Sequence, residues 1–403
     1  MTEAEVKMDP KKKYKYLRKV KKYILQCISC GDCREATDYT SDPPKWGVCV
    51  AKEHTTGFEP FFGRGKMQIA RSIWQGKLEL SKGLAEVLYQ CPTCNACSAT
   101  CAYEMDNTAV YEALRAELVK AEMGLVEHIS MNRALVEKLN PYQRDNKQKS
   151  EWLEKLDFKV KDASSEKADV LYFVGCTAAL TPEIQNVAIN TAKVLKKLGV
   201  DFSVFGENEI CCGSVAMRTG DRNAYDSVLE QNLELFQKSG AKTIITSCAG
   251  CYRTLKKDYE KKMKKLDIKV LHTIQLIAEK NPKLKNLGIN ATYHDPCHTG
   301  RGVDEPLYEE PRKLLAKIAN IKEMKTIKEN TMCCGAGGGV KKAFPELSLD
   351  IAKSRIEEAE ETGAEYLVSI CPFCYRNLSD AIKAVGSKIK MIDLLELINQ
   401  SIE

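Results

Sequence analysis

Thr243-Ile244-Ile245-Thr246-Ser247-Cys248-Ala249-Gly250-Cys251 reads as a short buried strand that ends directly on a Cys-x-x-Cys. The pattern returns 123 residues later as Glu365-Tyr366-Leu367-Val368-Ser369-Ile370-Cys371-Pro372-Phe373-Cys374. Upstream of each pair stands an adjacent Cys-Cys-Gly, Cys211-Cys212-Gly213 or Cys333-Cys334-Gly335, and before that a lone cysteine, Cys176 or Cys297. The intervals are 34 then 35 residues in the first copy and 35 then 36 in the second. Each lone cysteine also follows a strand pattern: Val170-Leu171-Tyr172-Phe173-Val174-Gly175 before Cys176, and Ala291-Thr292-Tyr293-His294-Asp295-Pro296 before Cys297. A helix from Val187 to Leu198 and a strand from Asp201 to Phe205 complete the first unit. The spacing predicts an internal duplication of an α/β unit, with a period too long for a solenoid. Parallel α/β sheets gather ligands at the carboxyl ends of their strands, so the five thiols of each copy are expected at one sheet edge.

Five thiols are one more than zinc or a cubane iron–sulfur cluster takes. Two of the five are neighbours, which suits an iron–sulfur cluster of unusual shape whose adjacent cysteines hold different irons. The other eight of the eighteen cysteines agree. Cys91, Cys94, Cys97 and Cys101 make C-x2-C-x2-C-x3-C, the run of bacterial-type 4Fe-4S ferredoxins. Cys27, Cys30 and Cys33 begin the same run, but Thr37 stands at its fourth position and the next thiol is Cys49. In two-cluster ferredoxins the fourth cysteine of each run serves the other cluster. Cys101 is therefore expected to complete the set of Cys27, Cys30 and Cys33, and Cys49 the set of Cys91, Cys94 and Cys97. Disulfides do not fit these spacings, which belong to cluster ligation in a reducing compartment. A single C-x2-C also suits a zinc ribbon or a thioredoxin-like pair, but repetition at matched intervals argues against both.

At 403 residues, with 44% hydrophobic and 29% charged residues, the chain has the composition of a globular protein of two or three domains. No apolar run reaches the length of a membrane span, so a cytoplasmic protein is expected, held at the inner face of the membrane through a partner if at all. Much of the net charge of +6 lies in Lys7, Lys11, Lys12, Lys13, Lys15, Arg18, Lys19, Lys21 and Lys22. With no base-reading motif beside it, this segment suits an acidic redox partner better than nucleic acid. The fold expected is α+β and multidomain. Residues 1–140 form a helical domain of the two-cluster ferredoxin type, 141–168 a polar linker with a helical piece at Trp152, and 169–287 and 288–403 the two Cys-Cys-Gly modules. Helices are expected over Val110 to Val119 and from Phe61-Phe62-Gly63-Arg64-Gly65-Lys66-Met67 to Trp74. Gly335, Gly337, Gly338 and Gly339 lack the Lys-Ser/Thr ending of a phosphate loop and suit close approach of backbone to a cluster.

From Cys27 onward these motifs resemble the catalytic iron–sulfur subunit of heterodisulfide reductase from methane-forming archaea, in its membrane-linked, D-type form. They also resemble the iron–sulfur subunits of glycolate and lactate oxidases. The resemblance implies two cubane 4Fe-4S clusters and two non-cubane ones. The non-cubane sets would be Cys176, Cys211, Cys212, Cys248 and Cys251, and Cys297, Cys333, Cys334, Cys371 and Cys374. It also implies a b-type cytochrome or an FAD-linked dehydrogenase as partner, with small-molecule thiols and a disulfide as substrates.

Cleaving a disulfide takes two electrons, whereas ferredoxin clusters deliver them singly. Two open-edged clusters at one pocket avoid a free thiyl radical. That pocket is expected between Cys176/Cys212 and Cys297/Cys334, with Cys212 and Cys334 at the chemistry. His298 or His294 supplies protons there, or else each is a structural imidazole beside a cluster. The competing class is an electron carrier whose substrate chemistry lies in a separate flavin subunit oxidising a 2-hydroxy acid.

Overall fold

The computed structural model describes residues 13–35 and 49–402. Thr37, Lys7, Lys11 and Lys12 lie outside the described residues. Two wholly parallel sheets form the body of the chain. The first contains β1 (Lys161–Asp162), β2 (Val170–Tyr172), β3 (Phe202–Val204), β4 (Thr243–Thr246) and β5 (Lys269–His272), in the order β1-β3-β2-β4-β5. The second contains β6 (Ile289–Tyr293), β7 (Ala319–Ile321), β8 (Tyr366–Ser369) and β9 (Lys390–Asp393), in the order β7-β6-β8-β9. Without β1 the two orders are the same, which is the duplication seen in the cysteine spacing. Ile244, Ile245, Leu367 and Val368 are fully buried, as expected of central strands covered by helices on both faces. The strands stop short of the apolar runs that contain them. Beyond Tyr172 and Ser369 the backbone leaves the ladder to carry the cysteine loops.

The stretch 141–168 is built into the first module. A 3-10 segment, Asn146–Lys155, buries Trp152 completely, and Lys149 donates to the Glu209 carbonyl. β1 then extends the sheet edge beside β3. The polar residues that suggest a linker, Lys147, Glu151, Glu154 and Lys155, occupy its exposed side.

All described elements before residue 140 are helical, including α1 (Gly63–Trp74), α2 (Asn107–Lys120) and α3 (Val126–Glu137). α2 is buried almost all round, beyond the one apolar stripe its periodicity suggests. Most of its buried polar groups are paired, Asn107 Oδ1 and Arg115 Nε excepted. Glu117 accepts from the backbone of Leu17 at 3.2 Å, and Arg218 donates to Glu112 at 2.6 Å. Arg115 donates to the carbonyls of Leu88 (2.7 Å), Cys91 (2.6 Å), Arg218 (2.8 Å) and Gly338 (2.9 Å), joining all three parts of the chain.

The two modules share one apolar core in which α4 (Gln185–Lys197) lies on the C-terminal helix Leu394–Ser401. Asn399 donates to Asn190 at 2.8 Å, and Lys197 to the Asn399 carbonyl at 2.6 Å. This packing turns the carboxyl edges of both sheets toward each other.

Candidate functional site

Each Cys-Cys-Gly turn places its glycine in the left-handed region, Gly213 at φ +80° and Gly335 at φ +83°. A β-carbon there would stand 2.8 Å from Val228 or from Ile351, so both turns require glycine. All eighteen cysteines are free thiols. In the first module neighbouring sulfurs touch in the series Cys176, Cys211, Cys212, Cys251, Cys248, with Cys212 and Cys251 at 3.5 Å. The second repeats the same order, Cys297, Cys333, Cys334, Cys374, Cys371, with Cys334 and Cys374 at 3.3 Å. The two series meet end to end, where the Cys248 and Cys371 side chains approach each other across the modules. Beside the pocket expected between Cys176/Cys212 and Cys297/Cys334, the structure brings the modules together at the leading cysteines of the two Cys-x-x-Cys turns.

Mutual hydrogen bonding divides these thiols into donors and acceptors. Bonds from Cys211 and Cys251 bring Cys212 down to about 6. Bonds from Cys333 and Cys374, with a smaller contribution from His294, hold Cys334 well below the usual thiol range. Cys371 is lowered by Cys248 and Cys374. Neighbouring thiols and burial push Cys176, Cys211, Cys248, Cys251, Cys333 and Cys374 up, so these six need a cationic centre to take the thiolate, metal-binding form.

The remaining eight thiols fall into two groups. Cys27, Cys30, Cys33 and Cys101 line one cavity, and Cys49, Cys91, Cys94 and Cys97 line another. Burial pushes Cys33 up to about 12 and Cys49 up to about 11, costs that a bound iron centre would offset. The second cavity adjoins the second module. Cys94 accepts a hydrogen bond from Cys333, which together with nearby Arg301 lowers it to about 6. Arg301 donates from Nε to the Cys94 carbonyl at 3.2 Å. The Gly337-Gly338 backbone lies against the Cys91-Pro92 loop, where a β-carbon on Gly338 would stand 2.6 Å from the Cys91 carbonyl oxygen. These glycines thus admit a cysteine-bearing loop of the helical part.

His298 lies between the modules. Arg253 Nη1 is 3.2 Å from its Nε2, and Gly250 of the first Cys-x-x-Cys faces its Nδ1. Burial, then Arg253 and Arg218, hold His298 well below the ordinary histidine value, so it is a neutral ring at neutral pH. Behind it, Arg218 pairs with Glu112 and Asp258, and Arg253 approaches Glu112 at 3.6 Å. This buried network of arginines and carboxylates has no local sequence signal, since its members come from separate segments. His294 stands apart from it, with a ring nitrogen within 4.8 Å of the Cys334 and Cys374 sulfurs.

Three comparisons bear on this arrangement. The cysteine-rich domain family matches the chain twice, over residues 170–256 and 291–379. The chain is 36% identical over 394 residues to the D subunit of the dihydromethanophenazine:CoB–CoM heterodisulfide reductase of Methanosarcina mazei, covering 93% of each. It is 28% identical to the probable iron-sulfur-binding oxidoreductase FadF of Bacillus subtilis, over 90% of this chain and 54% of that one. A crystal structure of a hypothetical protein from Helicobacter pylori shares the fold, with TM-score 0.54 at 10% identity, over 87% of this chain and 70% of that one. Among the described residues no helix is long and apolar enough to cross a membrane. With its paired cysteine-rich domains and 36% identity to the D subunit over 93% of both chains, the chain belongs to the heterodisulfide reductase D-type family of iron–sulfur oxidoreductase subunits.

Proposed function

We propose that the chain reduces a small-molecule disulfide, R–S–S–R′ + 2 e⁻ + 2 H⁺ → R–SH + R′–SH, within a complex that supplies the electrons. The observation that carries this reading is the Cys248–Cys371 contact, which brings the two five-thiol series together at one place. The donor sets fit four clusters: cubanes on Cys27, Cys30, Cys33, Cys101 and on Cys49, Cys91, Cys94, Cys97, and a non-cubane 4Fe-4S cluster on the five thiols of each module. Bound there, the clusters would supply single-electron storage and open iron edges for sulfur.

The protein's own part is placement. Cys30 is exposed, with Leu25 and Ile28 more than half exposed nearby and a basic helical segment, Lys15–Lys19 and Lys21–Gln26, leading into it. This face suits an electron-donating partner with acidic residues around an apolar contact. The partner class is a membrane b-type cytochrome subunit, with this chain cytoplasmic and peripheral to the membrane. At the other end, Cys212 and Cys334 are, with Cys371, the thiols of the paired series that their neighbours shift downward. His298 and Arg253 lie between the modules beside Gly250, the neutral ring as a proton relay and the guanidinium as counter-charge to a thiolate product.

Anaerobic turnover of the CoB–CoM heterodisulfide with a reduced viologen dye tests the reading. Two electrons should be consumed per disulfide. Cys334→Ser should abolish turnover while the eight N-terminal thiols keep their iron. A second reading is an electron carrier serving an FAD-linked 2-hydroxy acid dehydrogenase, and the likeness to FadF, a probable iron-sulfur-binding oxidoreductase, is compatible with it. It gains if iron-replete protein leaves disulfides untouched but takes electrons rapidly from such a flavoprotein.

A further inference from the structure

The two modules match in thiol order and strand order, yet differ at one place beside the sulfurs. His294 directly follows β6 and stands three residues before Cys297. The corresponding residue after β2, three before Cys176, is Phe173, which is fully buried edge-on to Phe236 and carries no donor. The residue behind differs too. Arg355 lies four positions beyond Ile351, the residue that backs Gly335, and donates from Nε to His294 Nδ1 at 3.2 Å. Four positions beyond Val228, which backs Gly213, the first module has Asn232, whose side chain turns to the carbonyls of Cys211 (2.9 Å) and Val228 (2.8 Å).

The Arg355 contact decides the tautomer of His294. An arginine Nε–H can only donate, so Nδ1 is the acceptor and the proton of the neutral ring sits on Nε2. Nε2 is buried with no hydrogen-bond partner, and a ring nitrogen of His294 lies within 4.8 Å of the Cys334 and Cys374 sulfurs, close enough for a small movement to bring an N–H to sulfur. A histidine protonated on Nε2 and already accepting at Nδ1 has no free lone pair for iron. It is a donor to sulfur, not a ligand. Arg355 is itself paired with Glu358, so the ring dipole is the main polar difference between the modules at this position.

We propose that His294, oriented by Arg355, donates its Nε2–H toward the Cys334–Cys374 sulfurs and gives the second module a higher reduction potential than the first. The reduced centre carries one more negative charge, which the positive end of an N–H dipole stabilises. Cys94 touches the second module at Cys333, so electrons arriving by that side settle first on the module next to their entry. His294 is a positioning and tuning residue here, distinct in role from His298. The inference rests on the reading that both modules hold clusters.

The test is an anaerobic redox titration of the full chain, followed by electron paramagnetic resonance with iron counted in parallel. His294→Phe reproduces the first module and should lower the potential of one non-cubane centre with iron content unchanged. His294→Gln keeps an N–H donor and should restore most of the shift. An unmoved potential at full iron in His294→Phe overturns the proposal. Iron loss from the second module in both variants also overturns it, since it makes His294 a ligand. If only His294→Phe loses iron, His294→Gln decides: a potential near wild type with full iron supports the donor role, and a fall as large as donor loss would give contradicts it. Wild-type protein lacking any module-bound iron defeats the cluster reading instead, and that result is distinguishable from the others.

Discussion

Cys248 and Cys371, the leading thiols of two turns 123 residues apart, approach each other at the seam between the duplicated modules. Ten buried or half-buried sulfurs thereby form one series, and Cys94 touches it through Cys333.

Four clusters of four irons require about sixteen irons per chain after anaerobic purification. Cys49→Ala should remove the cluster lined by Cys91, Cys94 and Cys97 and leave about twelve. Iron analysis with low-temperature spectroscopy reads this directly. Full iron and unchanged spectra in Cys49→Ala would show that another group completes the site.

Gly338→Ala forces a β-carbon to within 2.6 Å of the Cys91 carbonyl oxygen, at a backbone φ of +62°. The Cys91-Pro92 loop must shift, so the variant should lose iron from that group while keeping the module signals. Equal loss from all four sites would indicate general misfolding instead of a local displacement.

Arg115→Met leaves the carbonyls of Leu88, Cys91, Arg218 and Gly338 without their shared donor. Each unsatisfied buried acceptor costs roughly 1–3 kcal/mol, so a destabilisation of about 3 kcal/mol or more is expected. Denaturant unfolding of wild type and variant measures it, and limited proteolysis should release the helical part first. A change under about 0.5 kcal/mol, the usual scale for a surface substitution, would contradict the role given to this side chain.

His128 is buried against the Gly339 carbonyl, with Nε2 at 2.9 Å, and burial holds it down to about 4. The unfolded chain binds this proton at ordinary histidine pH, whereas the folded chain refuses it until near 4. Stability from this group is therefore complete above about 6.5 and falls as pH drops toward 4, by up to about 3 kcal/mol. His128→Gln should flatten that part of the profile in denaturant titrations at pH 7, 6 and 5. An identical slope in both proteins would remove His128 as the cause.

The duplicated strands, the helices Gly63–Trp74 and Asn107–Lys120, and the carboxyl-edge position of the thiols were legible from periodicity and spacing. The relation between the modules was not. Spacing along each copy is indifferent to how the two sheets dock, so it carries no sign of the Cys248–Cys371 approach. Trp152 and β1 were hidden for a different reason, because the exposed side of their segment carries most of its charge. Glu112, Arg115 and Arg218 look like surface residues locally, and only the approach of distant segments buries them. His294 was visible as a residue near a cysteine, but its tautomer depends on Arg355, 61 positions away.

The central claim is that the seam between the modules divides a disulfide between two thiol-held centres. Adding one thiol substrate to oxidised, iron-replete protein tests it most directly, by electron paramagnetic resonance. The account predicts a new paramagnetic signal from a single half-occupied site, abolished by Cys212→Ser or Cys334→Ser while the N-terminal clusters remain reducible. If no thiol produces the signal, and the same protein accepts electrons rapidly from an FAD-linked dehydrogenase, the chain is an electron carrier and the disulfide account is wrong.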